Sequence, residues 1–176
     1  MTYVDPLRDP EPLLSRVYAY VAYRIGDGPE AEDVVSAAVE RALRYRASYR
    51  PELGEPIAWL LGIAKRSLRD HYAQREREDV ELSDVADATD VESDTVERVT
   101  LQHAVARLSE RERELLALRY GADLTAKQIA KLVDAKTNAV EVALHRALAR
   151  LRAELEPGDA TAAPPAVLER RAAESL

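Results

Sequence analysis

LSERERELLALRYGADLTAKQIAKLVDAKTNAVEVALHRALARLR, residues 108–152, decides the fold, because it carries two reciprocal capping signals and one long amphipathic run. Ser109 with Glu112, and Thr125 with Gln128, have the spacing at which a hydroxyl caps the N3 amide while the N3 side chain returns to the cap amide. A helix therefore starts at each. Gly121 is placed to end the first of them. The second is short, through Leu132, and a turn at Asp134 leads to a longer helix from Asn138. That helix spaces Val140, Leu144, Ala147, Leu148, Leu151 and Leu155 so as to bury one face. A short helix, a tight turn and a longer helix make a helix-turn-helix candidate.

Upstream, the same period recurs. Asp9 and Pro10 read as cap and first-turn residue, followed by Leu13, Leu14, Val17, Tyr18, Val21 and Ile25 at helical spacing, and the GDG at 26–28 closes that helix. Pro29 opens a second, striped by Val34, Val35, Ala38, Val39, Ala42 and Leu43, which runs into the turn-rich RPELGEP at 50–56. Glu55 and Pro56 start a third, with Ile57, Leu60, Leu61, Ala64, Leu68 and Tyr72 on one face. Three such helices form a compact bundle. With Ala, Leu, Val, Arg and Glu dominant and only 6 glycines in 176 residues, the chain reads as all-α.

The charge is divided unevenly. Nine acidic residues and no basic one lie between Glu78 and Glu97, so the net −7 of the chain becomes +2 once that stretch is set aside. Arg41–Arg77 nets +5 and Arg98–Glu156 nets +3. Two mildly basic blocks flank an acidic connector whose small, polar, like-charged composition buries too little apolar surface to order itself. The expected organisation is a three-helix domain at 10–78, a flexible acidic linker at 79–94, a helix from about Thr95 to Leu108 opening a helix-turn-helix domain at 95–156, and a mobile tail at 157–176. Each domain carries its own apolar stripes and is expected to fold independently.

Several functions are disfavoured. No apolar run approaches membrane-spanning length, and MTYVDPLRDPEP lacks the charged-then-apolar layout of a signal peptide, so a cytoplasmic protein without membrane insertion is expected. There is no cysteine, and His71, His103 and His145 lack HxxxH or HExxH spacing, so no metal site is expected. No paired acids with a nearby base and no Gly-rich phosphate loop point to catalysis; no catalytic residue and no cofactor are assigned.

AEDVVSAAVERAL at 31–43 resembles the segment DLVQETFLRAW of extracytoplasmic-function (ECF) sigma factors, and WLLGIAKRSLRDHYAQRERE at 59–78 resembles their WLxxIARNxxxDxxRRxxR. Residues 108–152 resemble the family pattern LPxxxRxVxxLRYxxGLSxxEIAxxLGISxGTVKSRLHRAxxxLR. The order of these segments around a polar connector is what makes the match specific. The sequence also departs from the pattern: Ser36 and Ala37 replace Gln and Glu, Leu43 a Trp, Arg66 an Asn, and Asp134 the turn Gly. Glu141, Val142 and Ala143 replace Lys, Ser and Arg, which weakens the expected electrostatics toward DNA.

The resemblance implies a sigma-two domain followed by a sigma-four domain, with core RNA polymerase, promoter DNA and an anti-sigma factor as partners. It implies that the polar face of the second helix, with Asp33, Glu40, Arg41 and Arg44, docks on the polymerase. The minus-ten element falls to Tyr45, Tyr49 and Arg50 beside the 50–56 loop, and to Lys65, Arg66 and Arg69 on the third helix. The loop aromatics are expected to act in strand opening rather than in holding the fold, whereas Trp59 reads as a core anchor. The minus-thirty-five element falls to Lys136, Thr137, Asn138, Glu141, Val142 and Arg146, on early turns of a recognition helix that starts at a Thr137 cap. Two other readings are weighed: a helix-turn-helix regulator unrelated to sigma factors, whose sensing domain a small three-helix bundle cannot supply, and a sigma-like decoy, whose receiver domain the residues from Pro157 are too few to build.

Overall fold

The computed structural model describes residues 5–81, 101 and 103–155. Helices α1 (Pro10–Ile25), α2 (Pro29–Tyr45) and α3 (Pro56–Glu81) form the first block, with single 3-10 turns at Arg46–Ser48 and Pro51–Leu53 between α2 and α3. Residues 103–106 are helical. The second block continues with α4 (Glu110–Leu116), which runs on as a π turn over Ala117–Gly121, then α5 (Ala126–Leu132) and α6 (Thr137–Leu155). Among the described residues there is no strand. The expected linker begins inside α3, which extends to Glu81. The rest of the linker, the opening of the helix expected from Thr95, and the tail lie outside the described residues.

Local sequence explains where these helices start. Pro10 and Pro29 sit in first turns, where a missing N–H costs nothing. Asp9 holds the cap position of α1 but its side chain makes no capping bond. Gly26 (φ 92°) and Gly28 (φ 133°) supply the backbone that L-residues avoid between α1 and α2. Both capping boxes form. The Ser109 hydroxyl accepts from the Glu112 amide at 3.3 Å while the Glu112 carboxylate accepts from the Ser109 amide at 2.9 Å; Thr125 and Gln128 repeat this at 3.2 and 2.9 Å. Asp134, at φ 50°, makes the left-handed turn expected of it, and Asp123 makes another at φ 51°.

Three readings are corrected, and one is refined. Leu43, assigned to the core stripe of α2, is 51% exposed, because Ala31, Val34, Ala38 and Ala42 already fill the buried face with small side chains that let α2 lie close to its neighbours. Gly121 is the last residue of its helical run, as expected, but without a positive φ. It closes a π turn packed so tightly on α1 that a Cβ there would sit 2.8 Å from the Tyr20 Cα and 2.9 Å from the Ala19 carbonyl. The recognition helix opens a residue earlier than a Thr137 cap allows, since the Lys136 carbonyl already accepts the Val140 amide at 3.1 Å. Tyr49, read as a loop aromatic free of structural duty, is buried.

The cores of the two blocks meet. Val17, Tyr20 and Val21 of α1 pack with Leu60, Leu61, Ala64 and Leu68 of α3, and the cluster continues through Leu115, Leu118, Leu124 and Ile129 to Val140, Leu144 and Ala147 of α6. Arg16 fastens the seam, donating to the carbonyls of Ala122 at 2.7 Å and Asp123 at 3.2 Å. Burial of apolar area, rather than any single polar bond, is what drives this packing.

Candidate nucleic-acid interface

In the first block, the end of α2 and the middle of α3 enclose an open groove lined by Arg41, Arg44, Tyr45, Ser48, Trp59 and Arg66. Tyr45 is 54% exposed and turns a bare ring toward solvent. Trp59 is half-buried and rests edge-on against Tyr49, with ring centroids 5.7 Å apart. Tyr49 itself is only 8% exposed and donates its hydroxyl to the Gly54 carbonyl at 2.9 Å. The aromatic side chains that line this groove are therefore Tyr45 and Trp59, with Tyr49 packed edge-on against Trp59. Leu53, at the tip of the loop, is 85% exposed.

The cationic strip on α3 is split by its partners. Arg66 faces the groove, Arg69 and Arg50 are exposed, and Arg75 pairs with Glu30 of α2 at 3.0 Å. Lys65 points the other way, its Nζ 3.1 Å from Glu114 of the second block. Asp33, Glu40 and Arg44 lie on the outward side of α2, all exposed. Arg41 does not join them freely: it pairs with Asp70 at 2.6 Å and reaches Ser67 at 3.4 Å, tying α2 to α3.

In the second block, the start of α4 and the first turns of α6 form an open hollow that includes Arg111, Lys136, Asn138, Val142 and Arg146. Asn138, Val142 and Arg146 follow one another at four-residue spacing, the ridge a helix presents to one partner. Thr137 and Glu141 are also exposed but stand on the adjoining ridge, outside the hollow. Val140, Leu144 and Ala147 turn inward and fix the roll of α6. Arg111 was not singled out from sequence. Its only signal is a basic residue at the second position of a capped helix, where acids are favoured. Arg150 is held at 2.9 Å by Glu112, whose carboxyl lies below the usual range because the Ser109 hydroxyl and amide donate to it and Arg150 stands beside it, outweighing a partial burial that acts the other way.

Three residues the sequence reading passed over meet between the blocks. Glu114 of α4 is buried, accepts from the Tyr20 hydroxyl at 2.9 Å, and pairs with Arg24, which also pairs with Glu110. Burial, and then the Glu114 carboxylate, push the Tyr20 phenol well above its usual value. Burial alone would weaken the Arg24 charge, but Glu114, Tyr20 and Glu110 together outweigh it and hold the proton more firmly than usual. No group of three or more His, Cys, Asp and Glu among the described residues is placed to hold a metal ion, and no described helix is long and apolar enough to cross a membrane.

The second block thus presents a helix-turn-helix with an exposed ridge, and the first a three-helix bundle with an aromatic and cationic groove. Sigma-70 region 2 matches residues 11–78 and Sigma-70 region 4 matches residues 98–151. The ECF RNA polymerase sigma factor BldN of Streptomyces coelicolor is 31% identical over 152 residues, covering 82% of this chain and 57% of that protein. SigD of Mycobacterium tuberculosis is 33% identical over 135 residues, covering 71% and 61%, and SigK of a Mycobacterium species is 30% identical over 130 residues, covering 69% and 67%. The chain thus spans about three fifths of the length of BldN and SigD. Two solved structures share the fold: RpoE of Bartonella quintana, crystallised with the anti-sigma factor NepR (TM-score 0.63, 20% identity, 84% of this chain and 93% of that one), and CnrH with the cytosolic domain of CnrY (0.55, 24%, 85% and 84%). The chain belongs to the sigma-70 family, and within it to the ECF sigma factors.

Proposed function

We propose that this chain binds core RNA polymerase, reads a minus-ten element with its first block and a minus-thirty-five element with its second, and promotes DNA opening for transcription initiation. The observation that carries the reading is the presence of two exposed surfaces inside the two matched regions: a groove lined by Tyr45 and Trp59 with Arg44 and Arg66, and the ridge Asn138, Val142, Arg146 with Lys136 at its mouth. The first has the aromatic face on which an unpaired base stacks and cations for phosphates; the second has the shape and polarity that enter a major groove. The chain contributes binding and positioning, while RNA synthesis belongs to the polymerase.

The outward side of α2, with Asp33, Glu40 and Arg44, is the proposed polymerase contact. An anti-sigma factor is a proposed partner, supported by the solved structures of the same fold in complex with NepR and with the cytosolic domain of CnrY. The deciding experiment mixes the chain with core polymerase and a library of genomic promoter fragments. Transcripts with defined starts that depend on the chain are expected; core polymerase that neither retains the chain nor changes its start sites in its presence would refute the assignment.

A further inference from the structure

We propose that Val142 is a specificity residue that reads the methyl group of a thymine in the minus-thirty-five element, close to the adenine offered to Asn138; the proposal rests on the function proposed above and sharpens it. Val142 is 42% exposed in the middle of the ridge on α6, between Asn138 and Arg146. A single apolar side chain on a surface needs no explanation. Here, however, Ala139 and Ala143 flank it in the same hollow, and the buried Leu115 of α4 adds to the wall. Position 142 holds Ser in the pattern that this segment resembles, so the apolar patch is a property of this chain.

The charges around the patch identify what covers it. Arg111, Lys136 and Arg146 share the hollow and are exposed, while Glu112, the acid among its lining residues, is taken up by the Ser109 cap and by Arg150. An apolar protein segment seated here would draw three cations out of water with nothing to neutralise them. A major groove brings phosphates to those cations, and among its base edges it offers one apolar group, the C5-methyl of thymine.

Valine can neither donate nor accept a hydrogen bond. Over cytosine or a purine it would cover a donor or acceptor and leave it unpaired, whereas over thymine it covers carbon. The position it touches is therefore committed to thymine. Spacing then says where that thymine lies. Four residues of helix rise ~6 Å and base pairs stack ~3.4 Å apart, so the methyl falls within about two base pairs of the adenine at Asn138.

The test uses the full chain with core polymerase on a promoter fragment that it selects. Each thymine of the minus-thirty-five element is replaced in turn by deoxyuridine, which removes the methyl and keeps every hydrogen bond. At one position, parent binding should fall about fourfold, the worth of one covered methyl. Val142→Ala, which withdraws the side chain, should show no difference between the two bases at that position. Each protein is compared with itself, so a small change in its stability does not enter. Thymines that all lose their methyls without effect, or a fourfold loss that persists in Val142→Ala, would overturn the contact. Duplexes that the full chain selects at low salt without polymerase carry the same series. If polymerase ignored the chain, the proposed function would fall while those duplexes still decided the methyl contact. A chain that selects no duplex by either route would overturn both.

Discussion

The hydroxyl of Tyr49 donates to the carbonyl of Gly54 at 2.9 Å, so this ring closes the loop between α2 and α3 from within. Its face is backed by Trp59 at an interplanar angle of 61°, an edge-on arrangement that adds to the burial. Gly54, at φ 157°, lets the chain leave the second 3-10 turn in a direction most side chains resist.

The two tyrosines at this end of the first block should therefore separate in their effects. Tyr49→Ala empties a buried site and should cost about 2–4 kcal/mol of stability, and Tyr49→Phe about 1 kcal/mol for the lost hydrogen bond. Tyr45→Ala should leave stability within about 0.5 kcal/mol but slow promoter opening about tenfold, the kinetic equivalent of one lost base stack. Denaturant melts and open-complex kinetics on both variants check this. A Tyr49→Ala protein that melts like the parent would return Tyr49 to the DNA-facing set.

At the start of α4, Ser109→Ala should cost about 1 kcal/mol by breaking the capping box. The same box gives a pH dependence. The Glu112 carboxyl is held below its ordinary 4.5, chiefly by the Ser109 hydroxyl. A group depressed in the folded state contributes its stability in full above the unfolded value, and loses it as pH falls through the folded value. The penalty for Glu112→Gln should thus be present at neutral pH and shrink steadily below about pH 4.5. Chemical melts of parent and variant across that range test it; a penalty that stayed constant into acid would mean the ionised form matters little.

Asp134 stands where sigma factors of this kind have a turn glycine, and its φ of 50° is strained for an L-residue. Asp134→Gly should stabilise the helix-turn-helix by about 0.5–1 kcal/mol, raising the melting temperature by about 1–4 °C. An unchanged or lower value would show that the carboxylate makes up for its own backbone cost.

What could be read in advance was whatever depends on neighbours along the chain. Both capping boxes, the proline starts and the left-handed Asp134 are three- or four-residue events, and each is found where its spacing puts it. Leu43 was misread because Ala42 and Leu43 both fit a 3.6-residue stripe, and volume close to the neighbouring helices decides for the smaller. Glu114 was invisible because its partners Tyr20 and Arg24 lie 94 and 90 residues away. Gly121 was legible as a helix end, but its close approach to α1 was not, for the same reason: the backbone it accommodates belongs to another block. Of the site, the ridge on α6 was legible as exposed positions opposite an apolar stripe, but which cations are spent on ion pairs, Lys65 and Arg75 among them, depends on tertiary packing alone.

The ridge on α6 allows base reading to be told from phosphate anchoring. Asn138 sits at the first turn of the helix, beside Lys136, and its amide can give one donor and one acceptor to an adenine edge. Arg146, two turns on, and Arg111, across the hollow on α4, carry charge but no base-matching pattern that the geometry singles out. Asn138→Ala in the polymerase complex should cost about 1–3 kcal/mol on the cognate minus-thirty-five element and almost nothing on a scrambled one. Arg146→Ala and Arg111→Ala should each weaken all sequences alike and flatten the salt dependence by about 0.9 in log–log slope, the loss of one phosphate contact. Glu141, on the adjoining ridge, opposes the same phosphates, so Glu141→Lys should steepen that slope and tighten binding to cognate and scrambled DNA together. Salt titrations of promoter binding with the two elements measure all four variants. If Asn138→Ala lost affinity equally on both, the helix would hold the duplex without reading it, and discrimination would have to come from the first block.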